Sequence, residues 1–485
     1  MRQLLVTAHV LGAFLGVFAI AFGLPLGWSL AVEDGAHRGF AIAAAISALA
    51  GMALWFPTRK LGRELQPRDG ALLVVMSWLC ATLVASVPLL LELPGISFTD
   101  AFFETMSGLT TTGATVLTGL DTMAPSINIW RATLHWFGGM GIIVLAVAIL
   151  PLLGVGGMQL YKAETPGAVK NEKLTPRITQ TAKALYVVYL LITLACIGSL
   201  RLAGMNWYDA VFHSFSTVSL GGFSSYDASI GHFNSPAIEA VLIAFMLLAA
   251  VNFSRHFIAW QQKSLRTYLV DVEAGAMLRL VCVAILGVTL YVWAHHVYPD
   301  FLTSLRHVAF NLVAFSTTCG FVTQDYAAWP VFAPMVIIML SCYTCNTGST
   351  GGGIKMFRTL VLVRQAIREL FLLVHPQAVT PVKIRNQVVA NHVVFAVLAF
   401  VVLYFGTVVT LTFLLLASGM DFISSFTAII ATINNAGPGL GMVGPSSNYQ
   451  GLTDFQTWVC SLAMLLGRLE IFSVLVLLTP TFWRK

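Results

Sequence analysis

The sequence predicts an all-α integral membrane protein with ten transmembrane helices, in which four membrane–pore-loop–membrane repeats surround one pore and two extra helices precede them. Three observations support this fold class. The 485 residues are 57% hydrophobic and only 10% charged, whereas an average soluble domain has about 25% charged residues. Long apolar segments recur along the chain, and four connections between them share one pattern. The composition excludes an ordinary soluble enzyme and a disordered chain.

The predicted spans follow from the rule that a helix needs about 20 apolar residues to cross a bilayer. They cover residues 4–30, 38–57, 70–91, 128–156, 184–203, 236–260, 274–297, 331–372, 388–418 and 455–481, the eighth being interrupted. The first span follows Arg2 and lacks a clear small-residue cleavage site, so we interpret it as a span rather than a signal peptide. The predicted domains are a two-helix unit at 1–69 and pore repeats at 70–160, 161–265, 266–380 and 381–485, with the interrupted helix in the third repeat.

The charges indicate the orientation of these spans. An even number of spans places both termini on one side, and most of the 27 Lys and Arg residues fall on that side, whereas most of the 21 acidic residues fall on the other. Basic residues favour the cytoplasmic side of a membrane. We therefore expect both termini to be cytoplasmic, with an outer face whose carboxylates attract cations.

Four outer connections share a pattern in which a short, aromatic-rich apolar stretch is followed by Ser, Thr or Asn residues and then by glycine. These stretches are Asp100–Gly113, Asp209–Gly222, Phe310–Gly320 and Phe426–Gly437. Non-helical backbone at membrane depth is tolerated only where it is buried in protein or lines a water-filled cavity. One such stretch alone is compatible with an ordinary turn, but four between paired spans predict a shared pore.

The residues of these stretches indicate how such a pore would treat a cation. Asp100, Asp209 and Asp421 are expected to cap short helices that enter from the outside, so that the partly negative C-terminal ends of these helices point at the axis. The segments that follow supply backbone carbonyls, and glycine permits the positive φ that turns carbonyls toward an ion. A ring of carbonyls that replaces an ion's hydration shell is how a potassium filter is built.

At these residues the sequence resembles the Trk/Ktr/HKT superfamily of potassium transporters, and most of all the TrkH branch of bacterial potassium-uptake proteins. The matching stretches are SGLTTTGATV (107–116), HWFGGMGIIVLA (135–146), FSTVSLGGFSS (215–225), FSTTCGFVT (315–323), GSTGGGIK (348–355) and NNAGPGLG (434–441). The two spans before the first repeat also fit this branch.

The resemblance implies a potassium-selective, channel-like uptake protein of the bacterial inner membrane that is not an enzyme. It also implies a homodimer, a cytosolic nucleotide-binding regulatory subunit of the TrkA type, K⁺ as the bound and transported ion, and no cofactor on this chain. The filter residues implied are Thr110, Thr111, Thr112, Gly113, Ser219, Leu220, Gly221, Gly222, Thr317, Thr318, Cys319, Gly320, Asn434, Asn435, Ala436 and Gly437. In plant relatives a serine at the first filter glycine accompanies sodium transport, so glycine in all four segments favours potassium.

A glycine-rich segment, residues 341–353, interrupts the eighth predicted span. Adjacent glycines destabilise a helix interior by roughly 1 kcal/mol each, so a broken helix that faces a cavity is expected. In the resembling family this is an intramembrane loop that gates the pore, which implies gate residues Asn346, Gly348, Ser349, Thr350, Gly351, Gly352 and Gly353. The alternative is a permanently fixed helix break. A phosphate-binding loop is excluded because Ile354 separates the glycines from Lys355.

Arg468 lies near the middle of the last predicted span, where a charged side chain is costly and usually faces the interior of the bundle. The family places an arginine here in the constriction below the filter, so we expect Arg468 to be part of the gate. The alternative is a structural ion pair, with Glu470 as one possible partner. Lys355 and Arg358, at the inner end of the broken helix, are interpreted as solvated anchors or as contacts for a gating partner.

A coupled symporter, moving K⁺ with H⁺ or Na⁺, is the alternative function. Such a carrier would be expected to hold carboxylates inside its spans, and apart from Glu470 the acids lie at span ends or in loops. Cys342 and Cys345 have CxxC spacing, but no second pair follows, so we interpret the seven cysteines as small apolar residues.

Overall fold

The described part of the chain is almost entirely helical. The computed structural model describes residues 2–59, 67–144, 178–385 and 387–484. Within these ranges the only strands are Lys383–Ile384 and Gln387–Val388, an antiparallel pair in which Lys383 lies opposite Val388. The mostly helical fold expected from the sequence is confirmed for these residues.

The helices are numbered in chain order within the described ranges. They are α1 (Arg2–Phe18), α2 (Gly23–Val32), α3 (His37–Thr58), α4 (Pro67–Ala85), α5 (Val87–Glu92), α6 (Phe98–Leu109), α7 (Pro125–Val144), α8 (Ile178–Leu202), α9 (Trp207–Val218), α10 (Pro236–Ala250), α11 (Phe253–Gln262), α12 (Arg266–Leu269), α13 (Val272–Ala294), α14 (Phe301–Ser316), α15 (Phe332–Leu340), α16 (Met356–Val374), α17 (Asn391–Ala417), α18 (Phe422–Ile433), α19 (Asp454–Arg468), α20 (Ile471–Leu475) and α21 (Pro480–Trp483). Short 3-10 helices cover Ala19–Phe22, Leu120–Thr122, Ser229–Phe233, Tyr326–Ala328, Gly441–Val443, Tyr449–Gly451 and Val476–Leu478.

Six helical segments of the described residues are long and apolar enough to cross a membrane. They are Thr7–Val32, His37–Thr58, Asp69–Glu92, Ala182–Leu202, Val272–Ala294 and Asn391–Ala417. Two bent helix pairs raise the number to eight if each pair is one span. The chain therefore has the multi-pass character that the sequence predicts, and the full count of ten spans stays a prediction.

Two predicted spans are bent pairs rather than continuous helices. Span 236–260 consists of α10 and α11, which meet at 95°, and span 455–481 contains α19 and Ile471–Leu478, which meet at 113°. The first bend arises because Val251 is extended and the Asn252 side chain accepts a hydrogen bond from the backbone of Ser254 and caps α11. The second bend arises at Glu470, whose φ of 57° lies outside the α-helical region. Hydropathy averaged over a span does not detect either bend, since each pair taken as a whole is apolar enough to count as one span.

The interruption predicted within residues 331–372 is observed. Helix α15 ends at Leu340 and α16 begins at Met356, so residues 341–355 are not helical. The predicted span 128–156 begins within α7, and its residues 145–156 lie outside the described residues. Seven of the basic residues that the predicted orientation places on the cytoplasmic side also lie outside the described residues, namely Lys60, Arg63, Lys162, Lys170, Lys173, Arg177 and Lys485.

The two N-terminal spans pack closely through glycines. A Cβ atom on Gly51 of α3 would lie 2.7 Å from the Gly16 nitrogen and 2.8 Å from the Gly12 oxygen of α1. Small residues let helix backbones approach each other in a membrane. Phe22 follows α1 and stacks on Trp130 of α7, with ring centroids 4.4 Å apart and both side chains buried. This contact joins the N-terminal pair to the remainder of the molecule.

Replacement of Gly51 by Leu is expected to separate α1 from α3, because backbone atoms occupy the position of the new Cβ. Overpacking of this kind costs about 1–3 kcal/mol, so the purified protein should unfold at a lower temperature in detergent. Gly27→Leu is the matched control, since nothing lies within 4 Å of a Cβ built at Gly27. An equal loss of thermal stability in both variants would contradict the close packing of α1 on α3.

Candidate functional site

Four short helices, α6, α9, α14 and α18, end at the four predicted filter segments. They contain 12, 12, 16 and 12 residues, fewer than the roughly 20 needed to span a bilayer. Most of their side chains are nevertheless buried, including every residue from Ala101 to Leu109 in α6. Each short helix is therefore enclosed by other parts of the protein.

Each short helix begins at a polar residue whose side chain accepts a hydrogen bond from the backbone N–H three residues later. These N-cap residues are Ser97, Asn206, Asp300 and Asp421. The expectation for Asp421 is confirmed, but the expectation that Asp100 and Asp209 are caps is wrong. Both lie in the first turn of their helices, where the preceding Ser97 and Asn206 side chains accept from their backbone N–H groups. Asp300 was not predicted because the third stretch was taken to start at Phe310.

The cap of α14 is an exposed carboxylate. The Thr303 backbone N–H and the Thr303 hydroxyl each donate to the Asp300 side chain at 2.8 Å. These hydrogen bonds lower the pKa of the Asp300 carboxyl. The group is therefore ionised at neutral pH, beside the partly positive N-terminus of the helix.

The four helices end in the same turn. The second residue after each helix is left-handed, with φ of 53°, 55°, 59° and 55° at Thr111, Leu220, Thr318 and Asn435. The next residue donates its N–H to a carbonyl five residues earlier, in the pairs Thr112–Ser107, Gly221–Ser216, Cys319–Ala314 and Ala436–Ala431, at 2.7–2.9 Å. This pattern is a Schellman motif. All sixteen predicted filter residues therefore lie in four copies of one backbone turn, which we call the glycine turns.

Each glycine turn contains two departures from ordinary backbone conformation. The last residues of the turns, Gly113, Gly222, Gly320 and Gly437, have φ of 79–84°, as the sequence predicts for these glycines. The left-handed second residue was not predicted. A left-handed conformation is unusual for a β-branched residue, and Thr111 and Thr318 adopt it because the Schellman hydrogen bonds demand it. Hydropathy and composition hold no signal for this position.

The four glycine turns form a closed ring. A Cβ atom on Gly113 would lie 2.1 Å from the Gly221 oxygen, and one on Gly222 would lie 1.9 Å from the Cys319 oxygen. The same construction gives 2.2 Å from Gly320 to the Ala436 oxygen and 2.9 Å from Gly437 to the Thr112 oxygen. The first turn thus contacts the second, the second contacts the third, the third contacts the fourth, and the fourth contacts the first. The structure therefore brings together all four segments that the sequence singled out.

Backbone carbonyl oxygen is the ligand chemistry that this ring offers. None of the sixteen residues is acidic, and the described part of the chain contains no group of three or more His, Cys, Asp or Glu side chains that could hold a metal ion. The thiol of Cys319 is buried, while the backbone oxygen of Cys319 faces Gly222. A ring of this kind suits a weakly hydrated cation that exchanges water for carbonyl oxygens.

A buried ion pair braces the first two glycine turns. Arg131 Nε lies 2.8 Å from Glu104 Oε1, and both side chains are 1% exposed. Glu104 accepts from the Val116 N–H at 3.0 Å, and Arg131 donates to the Ser224 oxygen at 3.1 Å. The pair thus connects the segments that follow the first and second turns. This ion pair was not predicted, although two opposite charges within apolar segments were the available signal.

The predicted gate segment lies against the ring. The Gly352 N–H donates to Thr318 Oγ1 at 2.9 Å, and Thr350 Oγ1 donates to the Val218 oxygen at 3.1 Å. A Cβ atom on Gly352 would lie 2.0 Å from the Asn434 oxygen. Residues of this segment therefore contact the second, third and fourth short helices or their turns, at the C-terminal ends where helix carbonyls lack partners.

The start of the gate segment is held by the bend between α10 and α11. The Asn346 N–H donates to the Ala250 oxygen at 3.2 Å, and the Phe253 N–H donates to the Gly348 oxygen at 3.1 Å. The Ser349 hydroxyl donates to the Asn346 oxygen at 2.6 Å. The buried side-chain amide of Asn346 has no hydrogen-bond partner among the described residues.

The end of the gate segment turns sharply into α16. Gly353 and Lys355 have φ of 79° and 75°. The Lys355 ammonium group donates back to the Gly351 oxygen, so Lys355 closes the loop on itself. Its interpretation as a solvated anchor is wrong, because this contact directs the charge into the protein.

Arg468 joins the gate segment to two spans. Its side chain is 3% exposed and donates to the Thr350 oxygen at 2.8 Å and to the Gly138 oxygen of α7 at 3.0 Å. The suggested ion pair with Glu470 is not observed. Glu470 instead accepts from Arg358, at 3.0 Å from each of its two oxygens. Arg358 is 2% exposed, so it is a buried partner of Glu470 and not a solvated anchor.

Two glycines of the spans also shape the site. A Cβ atom on Gly138 would lie 2.0 Å from the Leu109 oxygen, and one on Gly467 would lie 1.8 Å from the Ile433 oxygen. These oxygens end the first and fourth short helices, so only glycine fits at either place. Gly138 lies in the motif HWFGGMGIIVLA (135–146), on which the resemblance partly rests, but its contact with the short helix was not predicted.

Comparisons with known proteins agree with this geometry. The TrkH family, described as a cation transport protein, matches residues 36–485. Proteins named Trk system potassium uptake protein TrkH, from Salmonella typhimurium and Vibrio parahaemolyticus, are 43% and 45% identical over 98% of this chain and 99% of their own lengths. Trk system potassium uptake protein TrkG from Escherichia coli is 38% identical over 99% of both chains.

A solved structure shares the fold. The crystal structure of the potassium transporter TrkH from Vibrio parahaemolyticus matches with a TM-score of 0.91 at 42% identity, covering 100% of this chain and 99% of that one. The resemblance found in the sequence motifs is thereby confirmed, as is the expectation of a membrane transport protein rather than an enzyme. The chain belongs to the TrkH family of cation transport proteins.

Proposed function

We propose that this chain is the membrane subunit of a Trk-type potassium uptake system and conducts K⁺ through the ring of glycine turns. The observation that carries the proposal is the closed contact of four identical turns, each presenting backbone carbonyls and each ending in a glycine of positive φ. The names of the relatives, which describe potassium uptake, support K⁺ as the transported ion.

The proposed filter consists of the backbone oxygens of residues 110–113, 219–222, 317–320 and 434–437. Four turns of equal conformation supply oxygens at equal depth, so a dehydrated K⁺ exchanges its water shell for carbonyl dipoles. The C-terminal ends of four short helices contribute partial negative charge beneath the ring. Transport follows the membrane potential, which supplies about 2.3 kcal/mol per charge per 100 mV, and this chain needs no cofactor for it.

The proposed gate consists of the loop at residues 346–353 together with Arg468. Contacts of Thr350 and Gly352 with Val218, Thr318 and Asn434 support this role, because they occupy the space under the ring. Arg468 donates to that loop, and its positive charge opposes a cation below the filter. Opening therefore requires movement of the loop and of the guanidinium group away from the axis.

The proposed organisation follows the repeats. Four pore repeats at residues 70–160, 161–265, 266–380 and 381–485 follow a two-helix unit at residues 1–69, with ten spans in all and both termini on the cytoplasmic side of the bacterial inner membrane. Homodimer formation and control by a cytosolic nucleotide-binding subunit of the TrkA type are part of the proposal. Family membership supports them, and exposed apolar side chains of α16, such as Val363, Ile367 and Leu370, provide a surface for lipid or a second copy.

The test of the function is cation flux into liposomes that hold the purified protein, with the proton gradient clamped. We expect flux that follows the potassium electrochemical gradient and largely excludes Na⁺. Flux that requires a proton or sodium gradient and moves K⁺ uphill would refute the channel-like mechanism and establish the coupled symporter instead.

Gly113→Ser is expected to relax selectivity toward Na⁺, because its Cβ would meet the Gly221 oxygen at 2.1 Å and displace one turn of the ring. We expect the K⁺/Na⁺ flux ratio in liposomes to fall about tenfold, which corresponds to ~1.4 kcal/mol between the two ions. The matched control is Gly119→Ser, where φ is also positive at 69° but the nearest atom lies 3.7 Å from the added Cβ. A lower K⁺/Na⁺ flux ratio in Gly119→Ser but not in Gly113→Ser would contradict the position of the filter.

Arg468→Ala is expected to raise K⁺ flux, because it removes both the charge below the ring and the hydrogen bond to Thr350. A unit charge about 4 Å from an ion costs roughly 4 kcal/mol at an effective dielectric of 20, so an increase of about tenfold or more should be measurable in the same liposomes. A deletion within residues 348–353 should act in the same direction. Arg279→Ala, at an exposed position of α13, serves as the control, and unchanged flux in both gate variants would contradict the gate.

A further inference from the structure

The contact between the fourth and first glycine turns differs from the other three contacts of the ring. A Cβ atom on Gly437 would lie 2.9 Å from the Thr112 oxygen, compared with 1.9–2.2 Å at the other three contacts. These two turns are also the first and the last along the chain, with 323 positions between Thr112 and Asn435, whereas the other three contacts join consecutive turns. We call this contact the seam. The backbone contact is therefore looser at the seam than elsewhere, and hydrogen bonds across the seam add to it.

Asn435 crosses the seam at the level of the turns. Its side-chain Nδ2 donates to Thr112 Oγ1 at 3.0 Å and to the Met464 oxygen of α19 at 3.1 Å, and the residue is 1% exposed. The shape of the turn does not require asparagine, because Leu220 holds the same left-handed conformation in the second turn. What the amide adds to the turn is its hydrogen bonds, one of which reaches the first turn.

Tyr449 crosses the seam beside the last glycine of the fourth turn. Its backbone N–H donates to the Thr115 oxygen at 2.9 Å, and its hydroxyl donates to the Gly437 oxygen at 2.9 Å. The side chain is 2% exposed, and its ring lies 5.3 Å from the ring of Phe103 in the first short helix. One residue thus holds the first repeat with its backbone and orients a carbonyl of the fourth turn with its hydroxyl.

We infer that Asn435 and Tyr449 are positioning residues that close the ring at the seam and thereby set its discrimination between K⁺ and Na⁺. The inference rests on the proposed function of the ring as a filter. Selectivity for the larger ion requires that the carbonyls resist closing around the smaller one. Three contacts resist by the closest packing of backbone on backbone. The seam also depends on the Asn435 side chain and on Tyr449, whose backbone N–H holds the first repeat while its hydroxyl holds the Gly437 oxygen.

The first test compares two buried tyrosines that donate to glycine carbonyls. Tyr449→Phe removes the bond to Gly437, and Tyr326→Phe removes a 3.3 Å bond to the Gly439 oxygen, which lies outside the four turns. Both changes delete one hydroxyl from a buried ring. We expect Tyr449→Phe to lower the K⁺/Na⁺ flux ratio of the full-length protein in liposomes about threefold to tenfold, the factor that one buried hydrogen bond represents, and Tyr326→Phe to leave the ratio unchanged.

The second test is a double-mutant cycle on the same ratio. Asn435→Leu and Thr112→Val each remove one partner of the bond across the seam while keeping a similar side-chain volume. If that bond sets selectivity, the double variant should lose no more selectivity than Asn435→Leu alone, because the bond that Thr112→Val would break is then already absent. Losses that simply multiply would overturn the inference for Asn435.

The outcomes separate this inference from the function on which it rests. Wild-type protein that does not prefer K⁺ would refute the proposed filter. A selective wild type with unchanged ratios in Tyr449→Phe and Asn435→Leu, or an equal loss in Tyr326→Phe, would overturn only the role of the seam. Thermal unfolding in detergent checks each variant, and Tyr449→Phe and Thr112→Val decide the question if Asn435→Leu does not fold.

Discussion

The close approach of backbone carbonyl oxygens to Gly113, Gly222 and Gly320 is the constraint on which the rest of the structure depends. Contacts as short as these leave no room for a Cβ atom at Gly113, Gly222 or Gly320, so each turn can approach its neighbour only in one conformation. The Schellman hydrogen bonds provide that conformation by forcing a left-handed residue after each helix. The short helices in turn need caps at their N-terminal ends and burial of most of their length by the spans, because their polar groups would otherwise face lipid.

The buried arginines illustrate two ways in which the protein accommodates charge near the ring. Arg131 and Arg358 each have a carboxylate partner, Glu104 and Glu470, so burial leaves no net charge at either place. Arg468 instead donates to the backbone oxygens of Thr350 and Gly138. Carbonyl dipoles solvate a guanidinium group but do not cancel its charge. The first arrangement stabilises architecture, whereas the second leaves a positive potential where the loop meets the ring.

The periodic features of this molecule could be predicted from sequence, and the features that depend on long-range contact could not. Apolar length predicted six spans closely, and the repeated Ser/Thr/Asn-to-glycine stretches predicted all four turns, because a pattern found four times is stronger than any single copy. The caps Ser97 and Asn206 were not predicted because Asp100 and Asp209, three residues later, were taken as the caps. Asp300 was not predicted because the third stretch was taken to start at Phe310. The bends at Val251 and Glu470 were missed because hydropathy measures how apolar a segment is and does not report a change in the direction of the helix axis. The pairs Arg131–Glu104 and Arg358–Glu470 bring together residues 27 and 112 positions apart, which a single sequence does not connect.

The order of the turns along the chain has a consequence for biosynthesis. The ring closes between Gly437 and Thr112, so a ribosome must complete almost the entire protein before the ring can close. A nascent chain that has inserted three turns has an open arc with no enclosed passage. Arg468 is translated soon after the fourth turn and is the residue that contacts the loop beneath it. The order of synthesis thus places the turn that closes the ring, and the arginine that contacts the adjoining loop, among the last parts of the chain to be made, so insertion of the first three turns precedes closure of the ring.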